Sequence, residues 1–300
     1  MFYSDRANVN NQYLTNVFCV AKTHGLNLPV YQINFCNKNK YKGLGDIKCD
    51  AFVLMICGNE NHESVEHYLS DSRVKMIVKN YPRMLNITDG NETGQTYGTF
   101  LDQNGREKFI VEKESDNIIT IPLGYCNDFN PVPTFNHREP GGFIGQWTQF
   151  RNDKIKAIDK AFDDSPYDWV FYRGFGPFVQ SDVDSDNKKF SYSLKPKIYS
   201  NFMSRIESAF VFSGQSPETY RLFEAAMAGC IIVHDILPDT WYYNDLPYVP
   251  CNFDNFKSVY DYIETHKHDL KSLTGIWWQN FASPAAVGNK IAQFAKSVGV

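Results

Sequence analysis

The chain has 300 residues, 43% apolar and 15% aromatic, ample for a large core and of a length for one big or two medium domains. A net charge of −4 without any dense basic block removes the electrostatic case for a nucleic-acid or anionic-membrane partner. The seven cysteines (Cys19, Cys36, Cys49, Cys57, Cys126, Cys230 and Cys251) are odd in number, form no C-x-x-C pair and mostly lie in apolar runs, so they read as reduced core residues.

Residues 1–4 suggest a short strand, followed by Asp5-Arg6-Ala7-Asn8 and a helical run through Tyr13, Val17, Phe18 and Ala21 that Gly25 ends. Residues 28–35 and 51–57 are strand-like. Between them lies a lysine-bearing loop whose Gly43-Leu44-Gly45 lacks the third glycine and the strand-to-helix setting of a dinucleotide fingerprint, so it reads as a solvated loop. Residues 63–70 are expected as a short helix and 74–79 as a strand. Residues 100–111 read as a hairpin turning at Asn104-Gly105, a type I′ pair, and 118–121 as a further strand ending in Pro122-Leu123-Gly124-Tyr125. The sequons at Asn86 and Asn91 read as chance occurrences in an Asn-rich loop. A Pro-rich, weakly patterned stretch, 127–142, reads as a linker.

Phe143-Ile144-Gly145-Gln146 restarts the pattern as a strand and glycine turn, followed by a helix over 151–162 with apolar Ile155, Ile158 and Phe162. Residues 169–172 read as a strand, with Arg173-Gly174-Phe175-Gly176 as the loop at its C-terminal end, where ligands gather in open α/β sheets. The D-x-D run Asp182-Val183-Asp184-Ser185-Asp186 has the carboxylates of a divalent-cation site, but no buried strand precedes it and it continues into Asn187-Lys188-Lys189, so it reads as a solvated loop. Residues 256–270 and 284–296 read as helices, and Trp241, Tyr242, Tyr243, Trp277 and Trp278 as core. His266 and His268 point apart on a helix, and His62 and His67 are not spaced as a ligand pair either.

The most informative stretch is G-Q-S-P-E-T-Y-R-L-F-E-A-A-M-A-G-C-I-I-V-H-D, residues 214–235. Ser216 suits an N-cap and Pro217 the first helical position, which puts the positive end of a helix beside Gly214, an anion site in outline. Arg221 and Glu224, three apart, share a face: a permanent guanidinium for phosphate and a carboxylate able to accept from both ribose hydroxyls. The other reading is a surface ion pair on an ordinary amphipathic helix. Leu222, Ala225, Ala226 and Gly229 form the opposite face, and 230–233 a fully buried parallel strand.

Gly214, Ser216-Pro217, Arg221-Leu222-Phe223-Glu224-Ala225, Gly229-Cys230-Ile231 and Val233 resemble, in order and without a gap, the C-terminal signature of the exostosin family of glycosyltransferases. The likeness extends upstream through Tyr199, Met203, Ser208 and Phe210-Val211-Phe212, and downstream to Leu246-Pro247-Tyr248. Ile232 stands where the family has proline, and His234 precedes Asp235, so the loop after this strand departs from the pattern. The resemblance implies an α/β chain with two Rossmann-like domains facing across a cleft, the GT-B arrangement. Residues 1–135 would form the acceptor side, 136–283 the nucleotide-sugar side, and 284–300 a closing helix packing back on the first domain.

It also implies inverting transfer of a sugar from a nucleotide diphosphate, expected to be UDP, to a hydroxyl of a glycan or glycoprotein. Donor binding is expected of Gly214, Ser216, Pro217, Thr219, Tyr220, Arg221 and Glu224, and further of Gly145, Arg151 and Arg173. Helix dipole and arginine replace a metal in this fold, so no metal or other cofactor is expected. Inversion needs a base for the acceptor proton, and Asp5, Glu60 and His62 are the ionisable groups at expected strand ends. Two other classes stay open, a nucleotide-sugar 2-epimerase of similar fold and a non-catalytic carbohydrate-binding protein. No segment reaches the roughly 20 apolar residues of a membrane span. The thiols favour the cytoplasm, with the secretory-pathway lumen as the alternative for a chain trimmed of an anchoring helix.

Overall fold

The structure, a computed structural model, describes residues 2–4, 10–35, 44–60, 62–87, 96–132, 139–144, 156–157, 160, 173–174, 196–213, 216–252 and 256–300. In chain order its main elements begin with β1 (Phe2–Ser4), α1 (Asn11–Thr23), β2 (Val30–Asn34), β3 (Phe52–Cys57) and β4 (Val74–Lys79). Then come β5 (Thr99–Leu101), β6 (Glu107–Phe109), β7 (Ile118–Thr120), β8 (Glu139–Ile144), β9 (Arg173–Gly174), α2 (Pro196–Arg205), β10 (Ile206–Phe210), α3 (Tyr220–Met227) and β11 (Ile231–His234). The chain closes with β12 (Leu237–Pro238), β13 (Val249–Pro250), α4 (Phe256–Trp277) and α5 (Pro284–Ser297). It divides into two compact units: Met1–Gly124 with Leu237–Asn244 and Gln279–Val300, and Tyr125–Ile236 with Asp245–Trp278.

The first unit is built on a parallel sheet in the order β1-β2-β3-β4-β7. All six residues of β3 are buried, as a strand hydrogen-bonded on both edges and covered on both faces must be. Tyr13, Leu14, Val17, Phe18 and Ala21 form the buried stripe of α1, the 3.6-residue period that the sequence carries. α5 lies against α1 so closely that a Cβ on Gly288 would come within 2.6 Å of the Val17 carbonyl oxygen and of Val20 Cβ. Ser283 caps α5, its hydroxyl accepting from the Ala286 N–H, with Pro284 at the first helical position.

The hairpin β5–β6 pairs antiparallel, with Leu101 opposite Glu107, so five residues and not two make its turn. The Asp102 carboxylate gathers the Asn104 and Arg106 N–H groups, and only Gly105 takes positive φ there, at 72°. The expected type I′ pair is therefore corrected: a carboxylate that can satisfy two loop N–H groups outcompetes a two-residue turn that would force Asn104 left-handed. β12 adds to β6 in parallel.

The second unit has the parallel sheet order β13-β11-β10-β8-β9. From β8 the chain passes to β9 on one side and then to β10 on the other, so the strand order reverses between β8 and β10. In open α/β sheets that reversal opens a crevice beyond the carboxyl ends of the two strands. One face is covered by α4, whose Phe256, Val259, Tyr260 and Ile263 cluster with Phe210, Phe212, Ile231 and Val233. α4 runs to Trp277, well past the expected end at 270, and a π-helical turn, Trp278–Ala282, follows it. Arg173-Gly174, expected as a loop, pairs with Phe143-Ile144 as β9. Of the expected helix at 151–162, residues 156–157 and 160 are described and are helical, and the expected strand at 169–172 lies outside the described residues.

Candidate active site

β10, whose carboxyl end lies at the edge where the strand order reverses, is followed in the chain by Ser213 and, ahead of α3, by residues 216–219. The start of the loop between β10 and α3 is fixed from the next strand. Asp235, directly after β11, accepts from the Ser213 N–H at 3.0 Å with one carboxylate oxygen and from the Ser213 hydroxyl with the other. His234, fully buried, lies edge-on to Tyr248 with its Nδ1 3.0 Å from that carboxylate. Asp235 thus holds the start of the loop, a role that spacing alone does not disclose.

α3 begins at Tyr220, three residues later than the sequence suggests. The Ser216 hydroxyl accepts from the Glu218 N–H two residues on, a local turn that competes with capping, so Ser216 and Pro217 form a buried bend ahead of the helix. Thr219 takes the N-cap position with extended backbone (φ −137°, ψ 145°). Its hydroxyl makes no capping bond and, at 8% exposure, finds no partner among the described residues. At the other end of α3, Gly229 takes φ 74°, and the Gly229 and Cys230 N–H groups return to the Ala226 and Ala225 carbonyls. Gly229 is thus the left-handed stop of the helix.

Arg221 and Glu224 occupy very different surroundings. Arg221 is half-buried, and its guanidinium makes no hydrogen bond or ion pair among the described residues. Glu224 is 1% exposed, and its two oxygens accept from the Tyr199 hydroxyl at 2.6 Å and the Cys126 N–H at 3.0 Å. Burial raises the Glu224 pKa, against the pull of Tyr199, Cys126 and the nearby Arg221 charge. The two side chains are therefore not the surface ion pair that an ordinary amphipathic helix would make.

Cys126 directly precedes the stretch expected as weakly patterned linker, 127–142, whose first residues are firmly seated. Ser200 and Ser204 on α2 accept from the Asn130 and Val132 N–H groups while donating to the carbonyls of Pro196 and Ser200 in their own helix. Phe129 packs on Tyr199 with ring centroids 5.5 Å apart. The only sequence signal was an i, i+4 serine pair.

In the first unit, Glu60 and His62 follow β3. The His62 Nδ1 lies 2.6 Å from the Pro82 carbonyl, so this nitrogen carries the proton and donates, and burial lowers the pKa to about 4, leaving the imidazole neutral near pH 7. Tyr81 and Tyr97 meet the ring edge-on at 5.8 and 5.2 Å. His62 and Tyr81 both take positive φ, at 55° and 63°. Left-handed backbone at two non-glycine residues is strain of the kind that clusters at working sites. Glu60 is only partly buried, receives the Tyr81 hydroxyl at 3.5 Å, and has its pKa raised by burial. Asp5, Gly145, Arg151 and Gly214 lie outside the described residues, and of Arg173 the backbone alone is described.

Among solved structures, a sucrose-phosphate synthase from Thermosynechococcus elongatus matches 99% of this chain and 95% of its own, with TM-score 0.56 and 11% identity. WaaG, a glycosyltransferase involved in lipopolysaccharide biosynthesis, matches over 97% and 98%, with TM-score 0.50 and 10% identity. The fold class is GT-B. The pneumococcal O-GlcNAc transferase GtfA, solved with UDP and GlcNAc, is matched at TM-score 0.48 and 14% identity over 83% of this chain, which spans 57% of that protein's length. No family model matches the sequence, and no curated protein does.

Proposed function

We propose that the protein is a glycosyltransferase that takes its sugar from a nucleotide diphosphate, with UDP as the expected carrier, and passes it with inversion to a hydroxyl of a glycan. What carries the reading is the first turn of α3: an N-cap hydroxyl on Thr219 and a guanidinium on Arg221, neither engaged in a hydrogen bond or ion pair among the described residues. They stand at a helix start beside the reversal point of a parallel sheet. Oriented N–H groups, a hydroxyl donor and a fixed positive charge together suit a diphosphate. As the sugar leaves, negative charge grows on that diphosphate, and preorganised donors stabilise it most at that moment.

Glu60 is the best supported of the three candidate bases. It is partly open to solvent, and burial moves its carboxyl towards the pKa at which a base is both ionised and proton-seeking at neutral pH. His62, 3% exposed and tied to Pro82, is read as holding the strained Tyr81–Pro82 turn.

The test is calorimetric titration with UDP, UDP-sugars and GDP-sugars, followed by product analysis with donor alone and with donor plus oligosaccharide. Transfer to the oligosaccharide supports the reading. Interconversion of the donor sugar without an acceptor would make the protein an epimerase, and absence of any nucleotide binding would leave a carbohydrate-binding protein.

A further inference from the structure

The donor-site reading leaves open what Glu224 does, and the arrangement around it answers in a way that the spacing Arg221-x-x-Glu224 does not. We propose that Glu224 is a positioning residue of the donor site, acting on the nucleotide by fixing α3 and not by touching the ribose. This inference rests on the donor-site reading.

Both carboxylate oxygens are engaged inside the unit, one by the Tyr199 hydroxyl on α2 and one by the Cys126 N–H. At 1% exposure no face of the carboxylate is left for a nucleoside to approach. Tyr199 is itself 6% exposed, so the pair is sealed from both sides. α3 has only eight residues, and Glu224 stands one turn beyond the Thr219–Arg221 end. Pinning it there sets the direction in which the N–H groups of the first turn and Arg221 point. The anchors are themselves anchored, since Ser200 and Ser204 hold the 126–132 stretch against the helix that carries Tyr199.

The experiment compares UDP with inorganic diphosphate, which has no ribose, by calorimetry on the wild type and on Glu224→Ala, Glu224→Gln and Tyr199→Phe. A positioning role weakens UDP and diphosphate by the same factor in Glu224→Ala, about tenfold or more. Glu224→Gln keeps both within about threefold, because its amide oxygen accepts from Cys126 and its amide nitrogen donates to the Tyr199 hydroxyl. Tyr199→Phe weakens both ligands too. Loss of UDP with unchanged diphosphate affinity in Glu224→Ala or Glu224→Gln makes Glu224 a ribose ligand and overturns the inference while sparing the donor site. Unchanged binding of both ligands in Tyr199→Phe overturns it as well. Should Glu224→Ala fail to fold by circular dichroism, the two conservative variants decide. A wild type that binds neither ligand overturns the donor-site reading itself.

Discussion

Arg221 and His62 show how much a residue's partners matter beyond its identity. Arg221 makes no hydrogen bond or ion pair among the described residues, so Arg221→Ala breaks no direct contact, although it removes the nearby positive charge that favours the buried Glu224 carboxylate. If it meets the leaving diphosphate, kcat falls by about 10²- to 10³-fold and donor affinity falls less, a split that steady-state kinetics and calorimetry resolve together. Equal losses in both would place Arg221 in ground-state binding only.

His62 gives a stability prediction with a definite sign. Its folded pKa, lowered to about 4, lies below the ordinary histidine value, so between those values the unfolded chain binds the proton that the folded one refuses. The contribution is present in full above about pH 6.5 and is lost as pH falls towards 4, by up to about 3 kcal/mol. Urea unfolding at pH 7, 5.5 and 4.5 measures it. His62→Asn, which tolerates left-handed backbone, is expected to be less stable at pH 7 but to show a flatter pH dependence. An unchanged slope in that variant would assign the acid loss to other groups.

At the scale of elements, glycine separates what local pattern reveals from what packing decides. Gly288 and Gly275 both lie in helices, and helix propensity alone favours alanine at each. At Gly275 a Cβ meets nothing within 4 Å, so Gly275→Ala is expected to raise stability by about 0.5–1 kcal/mol. At Gly288 the same methyl would meet backbone of α1, so Gly288→Ala is expected to cost about 1–3 kcal/mol by prising α1 and α5 apart. Thermal unfolding of the two variants should shift in opposite directions, and a shift of the same sign would mean that the seam can relax.

The same division explains what the sequence revealed. Helix α1 and strands β3, β4 and β11 were legible because their buried residues follow the period of the element. The start of α3 was not, because serine and proline serve a bend ahead of a helix as readily as its first turn. Nor was the seat of the 126–132 stretch, which depends on side chains about 70 to 98 positions away. Arg221 and Glu224 were both legible as candidates, but their surroundings were not, since burial on a helix face depends on which elements pack there.

At the scale of the whole molecule, the chain returns to its first unit twice, through Leu237–Asn244 and Gln279–Val300, and composition carries no trace of that weaving. Hydrogen bonds secure the first return: the Trp241 indole N–H donates to the Thr120 carbonyl, and β12 pairs with β6. Tyr13, buried in α1, donates to the Ala282 carbonyl in the second. An aromatic run that reads only as core material is thus part of how a discontinuous unit closes.

The GT-B reading makes one demand on the whole reaction. A helix start and a guanidinium are asked to carry the charge that grows on the leaving diphosphate, the task that a divalent cation performs elsewhere. If these groups suffice, transfer continues in excess EDTA at a rate within about twofold of that with Mn²⁺ or Mg²⁺, while Arg221→Ala is slow under both conditions. The competing arrangement has carboxylates of the run Asp182-Val183-Asp184-Ser185-Asp186, which lies outside the described residues, holding a cation. It requires complete loss in EDTA, recovery with Mn²⁺, and failure of that recovery in Asp184→Asn. That pattern would move charge neutralisation from α3 to the acidic run and leave Arg221 a secondary part.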